Sequence, residues 1–182
     1  MSAATIEATL LDHPVEGRHL APGTLADQLG DRPTLLIFLR HLGCIFCREC
    51  IGDVRKAAEA DSAFPPTLFI HMGGVADGDT FFDTHYPEAR AIADPGMQLS
   101  DGFEVPRGTI GQFLGPEVWA CGMKATMKGH GIGKPVGDVR KMPAFVAVDR
   151  SGRVTWRYVP RHAADHPDFA RVADLVNSAA SP

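Results

Sequence analysis

The 182-residue sequence lacks the features of several large classes of protein. It has no excess of basic residues, because 18 lysines and arginines stand against 22 aspartates and glutamates, for a formal net charge of -4. An extended nucleic-acid interface needs a basic face, so this balance argues against nucleic-acid binding. Its longest apolar run, residues 35–39, has the length of a strand and falls far short of the roughly 20 residues that cross a membrane. We therefore expect neither nucleic acid nor membrane as a partner.

The sequence also has no internal repeat and no low-complexity tract. Residues 1–11 show neither the basic start nor the apolar stretch of a secretory signal, which predicts a cytoplasmic protein. The length suits one ordinary domain, and a 45% hydrophobic composition is enough for a core. We expect a single domain over residues 1–182, with a lead-in at 1–33, a first half at 34–93, a helical or loop insertion at 94–141, and a hairpin with a closing helix at 142–178.

Hydrophobic patterning predicts an α/β fold with a mixed central sheet flanked by helices. Continuous apolar runs predict buried strands at 34–39 and 67–71, and two apolar runs around a Gly-containing turn predict a hairpin at 144–158. The spacing of apolar residues after the first strand predicts an amphipathic helix. The remaining expected elements are a short strand at 6–11, the helix at 47–60, a weak helix at 79–86, a short strand at 89–93, one or two helices within 98–129, a Gly-rich loop at 129–138, and a final helix from Pro167.

Cysteine is scarce, and three of the four cysteines are clustered. Cys44, Cys47 and Cys50 lie within seven residues, between the first buried strand and its helix, while Cys121 stands alone. A cysteine at the start of a helix faces unpaired backbone N–H groups and the positive end of the helix dipole, which favour the nucleophilic thiolate. Arg40 adds positive charge nearby. A Cys-x-x-Cys pair between a strand and a helix therefore indicates thiol–disulfide chemistry without a cofactor.

Other interpretations of these residues stay open at this point. Cys50 lies one turn into the helix and is better explained as a small buried hydrophobe. The cluster could instead bind zinc together with Cys121 or His41, although the paired spacing of most structural zinc sites is missing. It also resembles part of an iron–sulfur sequence, although the nearby fourth cysteine of such sequences is missing. Cys121 is either a packed core thiol or a resolving cysteine. A domain that binds metal or a partner protein without catalysis is the alternative to a redox enzyme.

The sequence resembles the thioredoxin-like proteins, and more closely the peroxiredoxin-like branch of the alkyl hydroperoxide reductase and thiol-specific antioxidant family. The resemblance covers about residues 30–178 and is carried by residues 38–50, 137–143, 148–153 and 161–166. It implies a thioredoxin-like fold and an antioxidant or disulfide-exchanging activity. It also implies that Pro143, at the start of a strand, is a cis proline lying against the active-site cysteines. A trans proline at a strand start remains the simpler alternative.

Two departures from that family affect the expected chemistry. Peroxiredoxins carry Pro-x-x-x-Thr/Ser-x-x-Cys, and aligning its cysteine with Cys47 puts Cys44 at the Thr position and Arg40 at the Pro position. The arginine that peroxiredoxins place near Pro143 is also missing, so Arg40 would substitute for it. Dithiol–disulfide exchange is therefore better supported than peroxide reduction by Cys47.

We accordingly expect a thiol-dependent oxidoreductase whose catalytic residues are Cys44, Cys47, Arg40 and Pro143. The resemblance implies a thiol reductant such as a thioredoxin or glutathione system, a disulfide or peroxide substrate, and no metal or cofactor, and it leaves open a homodimer. Cys44 precedes the helix, so we expect it to be the more exposed cysteine and the nucleophile. Peroxiredoxin spacing would give that role to Cys47.

Overall fold

The fold is defined by a computed structural model that describes residues 5–127 and 136–180. Within these residues the strands form one sheet with the order β1-β4-β3-β2-β5-β6. The strands are β1 (Glu16–Arg18), β2 (Thr34–Phe38), β3 (Thr67–His71), β4 (Ala91–Ala93), β5 (Ala144–Val148) and β6 (Val154–Tyr158). The helices are α1 (Ala8–Leu11), α2 (Leu25–Gln28), α3 (Ile45–Ala60), α4 (Val75–His85), α5 (Gln98–Gly102), α6 (Ile110–Leu114), α7 (Pro116–Met127) and α8 (Phe169–Ala180). This arrangement confirms the predicted α/β fold with a mixed sheet flanked by helices.

Strand β2 lies at the centre of the sheet, and all five of its residues are buried. It runs parallel to β3 and antiparallel to β5. Because neighbouring side chains of a strand point to opposite faces, β2 contributes to two cores. Leu35 and Ile37 pack on the face that α3 and α8 cover, whereas Leu36 and Phe38 pack on the face that the N-terminal segment and α5 cover. A strand covered on both faces reads as a continuous apolar run, which is why its sequence predicts it well.

The N-terminal half departs from the sequence-based expectation. Residues 6–11 were expected to form a strand, but they contain the short helix α1, and β1 and α2 were not predicted at all. A helix or strand of three or four residues is too short to show a clear period of apolar residues, so tertiary contacts decide its conformation. Helix α4 starts four residues earlier than predicted, and β4 covers only the last three residues of the predicted 89–93 strand.

The rest of the chain follows the predicted order with shifted boundaries. Helix α3 begins at Ile45, two residues earlier than expected, and α8 begins at Phe169 instead of Pro167. The segment expected to hold one or two helices contains α5, α6 and α7. The predicted Gly-rich loop falls mostly on residues 128–135, outside the described part of the chain. No helix in the described ranges is long and apolar enough to span a membrane.

The β5–β6 hairpin has the predicted strands and a turn over residues 149–152. The Asp149 carboxylate accepts hydrogen bonds from the backbone N–H groups of Ser151 and Arg153, at 2.9 and 3.0 Å. Gly152 closes the turn with φ of +82°, a left-handed conformation that costs a residue with a Cβ free energy. A Cβ at this position would also lie 2.6 Å from the Leu11 side chain. The hairpin turn therefore requires glycine at position 152.

We expect Gly152→Ala to lower the free energy of unfolding by about 1–3 kcal/mol, because alanine is strained at positive φ. Urea denaturation followed by circular dichroism measures the change. Gly30→Ala is the matched control, because Gly30 does not have positive φ and a Cβ there meets no atom within 4 Å. That control should stay within about 1 kcal/mol of wild type. Equal stabilities of the two variants would contradict the assigned role of Gly152.

Candidate active site

Cys44 lies at the junction between β2 and α3. It is the N-cap residue of α3, with extended backbone angles, and its N–H donates to the His41 carbonyl at 2.9 Å. The thiol therefore faces the first turn of a 16-residue helix, where backbone N–H groups have no partner within the helix. Cys47 is the third residue of α3 and Cys50 lies one turn further along. None of the four cysteines forms a disulfide in the structure.

The Arg40 side chain reaches directly to Cys44. Its Nη1 donates to the Cys44 sulfur at 3.3 Å, and the residue is only 7% exposed. Its other donors are used by the chain just before β5, since Nε bonds the Lys141 carbonyl at 3.0 Å and Nη2 bonds the Val139 carbonyl at 2.7 Å. The guanidinium also lies over the Phe113 ring, 4.6 Å from its centroid. Arg40 is thus fixed from several sides, with one donor aimed at the sulfur.

These contacts lower the pKa of the Cys44 thiol from its usual value to about 6. The largest cause is a hydrogen bond that the Cys47 thiol donates to the Cys44 sulfur. Burial opposes the shift, but the Arg40 charge and hydrogen bonds from the backbone N–H groups of Cys47 and Phe46 add to the lowering. At neutral pH the Cys44 sulfur is therefore the nucleophilic thiolate.

Cys47 and Cys50 are shifted in the opposite direction. The pKa of Cys47 is raised well above its usual value, chiefly by the hydrogen-bonding interaction of its S–H with Cys44, and then by burial and by the negative charge of Cys44. Burial is the main cause of the raised pKa of Cys50, and the carboxylate of Asp53 adds to it. The cluster thus contains one thiolate beside two thiols that stay protonated.

The two cysteines are almost equally buried. Cys44 was expected to be the more exposed of the pair, and it is so only marginally, at 4% against 3% for Cys47. Cys44 is buried because residues distant in sequence pack over it. Arg40 lies against Cys44 and is itself covered by Phe113 and by the segment of residues 139–141.

Pro143 is buried immediately before β5. The antiparallel register pairs Phe38 with Ala144, so Pro143 lies beside the chain that leaves β2 toward Arg40. The described residues contain no cis peptide bond, so Pro143 is a trans proline and the cis proline implied by the family resemblance is absent. The structure brings Cys44, Cys47 and Arg40 into contact and places Pro143 at the same end of the sheet.

An apolar cavity of about 550 Å³ opens next to this junction. It starts at Ile45 and Phe46, the two residues that follow Cys44, and continues between α6 and α7 to Met123 and Met127. Phe113 lines the cavity and also contacts the Arg40 guanidinium, so the cavity and the cysteine site share a wall. The sequence does not single out Phe113 or the carbonyls of Val139 and Lys141, because no local pattern connects Arg40 with residues 73 to 101 positions away.

The remaining candidate residues lie outside the contact between Arg40 and the cysteines. Cys121 is partly buried on α7 and lines a polar cavity with His162 and His166, which lie in the loop before α8. His41 stays neutral at physiological pH, because burial, and then the Arg40 charge, lower its pKa to about 4. No three His, Cys, Asp or Glu side chains in residues 5–127 and 136–180 form a group that could hold a metal ion.

We expect alkylation of Cys44 by iodoacetamide to follow a pH profile with a midpoint near its pKa of about 6. The alkylation rate of Cys44 rises as pH increases through that value, because the thiolate is the form that reacts. Cys47 and Cys50 stay unreactive at neutral pH. Arg40→Met should raise the midpoint by about 1–2 units, because the thiolate loses a neighbouring opposite charge. Peptide mass spectrometry identifies the alkylated cysteine at each pH.

Arg55→Met is the matched control for that measurement. Arg55 lies on the same helix and pairs with Glu59 at 2.8 Å on the exposed side. Its loss should leave the Cys44 midpoint unchanged. A folded Arg40→Met variant with the wild-type midpoint would show that the guanidinium does not stabilise the thiolate.

Comparison of the sequence with protein-family models and with curated proteins finds no significant match. Solved structures do match along nearly the whole chain. Peroxiredoxin Q of Xanthomonas campestris is 20% identical with a TM-score of 0.63, and the match covers 97% of this chain and 98% of that one. Reduced Prx3 of Vibrio vulnificus is 11% identical with a TM-score of 0.64, covering 96% and 97%.

A third similar structure is a secreted disulfide oxidoreductase of Mycobacterium tuberculosis, described as homologous to DsbE of E. coli. It is 17% identical with a TM-score of 0.57, and the match covers 94% of this chain and 98% of that one. Identities this low show the fold alone. The protein has the thioredoxin-like fold that the peroxiredoxin branch shares.

Proposed function

We propose that this protein is a thiol–disulfide oxidoreductase in which Cys44 attacks and Cys47 resolves. One observation carries the proposal: Nη1 of the buried Arg40 donates to the Cys44 sulfur at 3.3 Å, which favours the thiolate at neutral pH. A thiolate at the start of a helix, beside a second thiol three residues on, is the arrangement that disulfide exchange requires. Arg40 and Pro143 belong to the same proposed site.

The proposed reaction begins with attack by the Cys44 thiolate on a substrate disulfide. A bond forms between the Cys44 sulfur and one substrate sulfur, while the substrate S–S bond breaks and its other sulfur leaves as a thiolate. Cys47 then attacks the Cys44 sulfur of this mixed disulfide. The second substrate sulfur leaves, takes up a proton to become a thiol, and the protein retains a Cys44–Cys47 disulfide. The substrate is reduced by two electrons and the protein is oxidised by two.

The shifted pKa values explain why the two cysteines act in this order. Cys47 keeps its proton in the resting state because it donates to the Cys44 thiolate and lies beside that negative charge. Both causes disappear once Cys44 is bound in a mixed disulfide. The pKa of Cys47 then falls, and the backbone N–H of Arg40, which favours its thiolate, remains in place. Consumption of the first thiolate therefore activates the second.

The surroundings of the site suit an external protein or peptide. The apolar cavity beginning at Ile45 and Phe46 offers a surface for apolar groups next to the substrate sulfur. To complete a cycle, the Cys44–Cys47 disulfide needs two electrons from an external thiol reductant, such as a thioredoxin or glutathione system. The proposed chemistry uses sulfur alone and requires no cofactor.

Peroxide reduction is the second candidate, and the similarity to peroxiredoxin structures favours it. In that reaction the Cys44 thiolate attacks a peroxide oxygen, giving a sulfenic acid and an alcohol or water, and Cys47 then displaces water to form the same disulfide. The raised pKa of Cys47 argues against Cys47 as the attacking cysteine. The two candidate reactions thus differ in substrate and share the nucleophile.

We expect Cys47→Ser to accumulate a mixed disulfide at Cys44 when incubated with oxidised glutathione, because the resolving thiol is missing. Cys44→Ser should form none, because burial still raises the pKa of Cys47 and the Arg40 guanidinium, which contacts position 44, does not stabilise a thiolate at position 47. Intact-protein mass spectrometry under non-reducing conditions measures both products. Cys121→Ser is the control and should behave as wild type, which forms the Cys44–Cys47 disulfide.

Two results would contradict this assignment. Wild-type protein that keeps its fold under mild oxidation but forms no Cys44–Cys47 disulfide would show that the redox role is wrong. A Cys44→Ser variant that forms a sulfenic acid at Cys47 with hydrogen peroxide would reverse the order of the cysteines, as detected by trapping with dimedone.

We expect the reduced protein to react faster with oxidised glutathione than with hydrogen peroxide at equal concentrations. Stopped-flow fluorescence of one protein preparation compares the two second-order rate constants directly. Cys44→Ser measured under the same conditions gives the background for each substrate. A rate constant for peroxide that exceeds the disulfide rate by tenfold or more would identify peroxide reduction as the main activity.

A further inference from the structure

The position of Arg40 depends on a segment that is distant in sequence. Residues 138–142, here called the strap, run along the end of β2 just before β5. The strap carbonyls of Val139 and Lys141 accept hydrogen bonds from Nη2 and Nε of Arg40. These two bonds orient the planar guanidinium, and its Nη1 is thereby directed at the Cys44 sulfur. A shift of the strap carbonyls would therefore move the cation away from the thiolate.

An ion pair between the buried Lys141 and the largely exposed Asp101 anchors the strap from its other side. Lys141 is 2% exposed, and its ammonium donates to the Asp101 carboxylate at 2.6 Å and to the Val105 carbonyl at 2.8 Å. Asp101 lies on α5, and the pairing lowers its pKa, chiefly through the hydrogen bond from Lys141. A buried ammonium is costly unless it is paired, so this contact determines where the Lys141 side chain can lie.

One residue thus links the ion pair to the thiolate. The side chain of Lys141 binds Asp101, and the carbonyl of the same residue binds Arg40. Three further contacts align the neighbouring strap residues with the segment after α5. The N–H of Met142 donates to the Pro106 carbonyl at 2.9 Å, and the N–H of Gly108 donates to the Arg140 carbonyl at 2.8 Å. Arg107 also pairs with Asp138 at 2.8 Å. These contacts hold the strap as a whole, whereas the ion pair holds the residue that touches Arg40.

We propose that Asp101 and Lys141 are positioning residues for the Cys44 thiolate and that they act through Arg40. This inference rests on the proposed function of Cys44. The groups that shift the Cys44 pKa are Cys47, Arg40 and the N–H groups at the start of α3. Lys141 and Asp101 carry opposite charges that largely cancel at the distance of Cys44. Their influence on the Cys44 thiolate therefore depends on where they place the Arg40 guanidinium.

Breaking the pair should alter the pH profile of Cys44. In Asp101→Ala the buried ammonium loses its carboxylate and moves toward water, and the Lys141 carbonyl moves with it. We expect the alkylation midpoint of Cys44 to rise by about 0.5–1 unit, less than the effect of removing the Arg40 charge itself. Asp101→Asn should give a smaller shift, because its amide oxygen still accepts a hydrogen bond from the ammonium.

The decisive measurement repeats Asp101→Ala in an Arg40→Met background. If the ion pair acts through Arg40, the second substitution adds no further shift once the guanidinium is gone. Asp79→Ala is the matched control, because it removes a carboxylate that pairs with the mostly buried Arg18 at 3.4 Å, in another part of the fold. It should leave the midpoint unchanged. His41, with its pKa of about 4, stays neutral through the titration, and Cys47 and Cys50 stay protonated.

Each outcome decides the proposal. A folded Asp101→Ala variant with the wild-type midpoint overturns it, and so does an equal shift in the Arg40→Met background. If Asp101→Ala does not fold, Asp101→Asn provides the same two comparisons. A wild-type midpoint near that of an ordinary thiol contradicts the proposed function together with this inference, whereas a wild-type midpoint of about 6 with no response to Asp101 contradicts the inference alone.

Discussion

The contact between the Arg40 guanidinium and the Cys44 sulfur is the constraint on which the proposed site depends. Both residues are almost completely buried, and a buried cation is tolerated only when its donors are satisfied. Here two carbonyls, an aromatic ring and the sulfur meet that requirement. The arrangement also lowers the pKa of the Cys44 sulfur, because a nearby positive charge and hydrogen bonds favour its charged form. Structural stability and reactivity therefore rest on the same contact.

The sheet explains how residues a hundred positions apart form that contact. Strand β2 ends at Phe38, and Arg40 follows it before the chain turns into α3. Because β5 pairs antiparallel with β2, the chain that enters β5 arrives at the edge where β2 ends. The carbonyls of Val139 and Lys141 are thus delivered to Arg40 by strand register. Any insertion that altered the β2–β5 register would separate the arginine from both carbonyls.

This geometry also separates what the sequence could predict from what it could not. Strands β3, β5 and β6 and the order of the central elements were predicted residue by residue or nearly so, because they are long apolar runs or lie beside a recognisable turn. Cys44, Cys47 and Arg40 could be proposed as candidate site residues because they lie within eight residues of each other. The strap, Phe113 and Asp101 were missed, and so the burial of Cys44 was missed with them. Local patterns define the chemistry-bearing residues, whereas tertiary packing defines their exposure and their pKa values.

The order of reactivity within the cysteine cluster follows from position along α3. Cys44 lies at the N-terminus of α3, where Cys47, the Arg40 charge and backbone N–H groups lower its pKa, whereas the pKa of Cys50, one turn beyond Cys47, is raised mainly by burial. Cys47 lies between them, and its protonation state depends on Cys44. Three identical side chains therefore have different chemistry because the helix supplies unpaired donors only in its first turn. The Cys44 thiolate raises the pKa of Cys47 and keeps it protonated. Conversion of Cys44 to a mixed disulfide removes that effect, so the pair holds a single nucleophile at each stage of the proposed cycle.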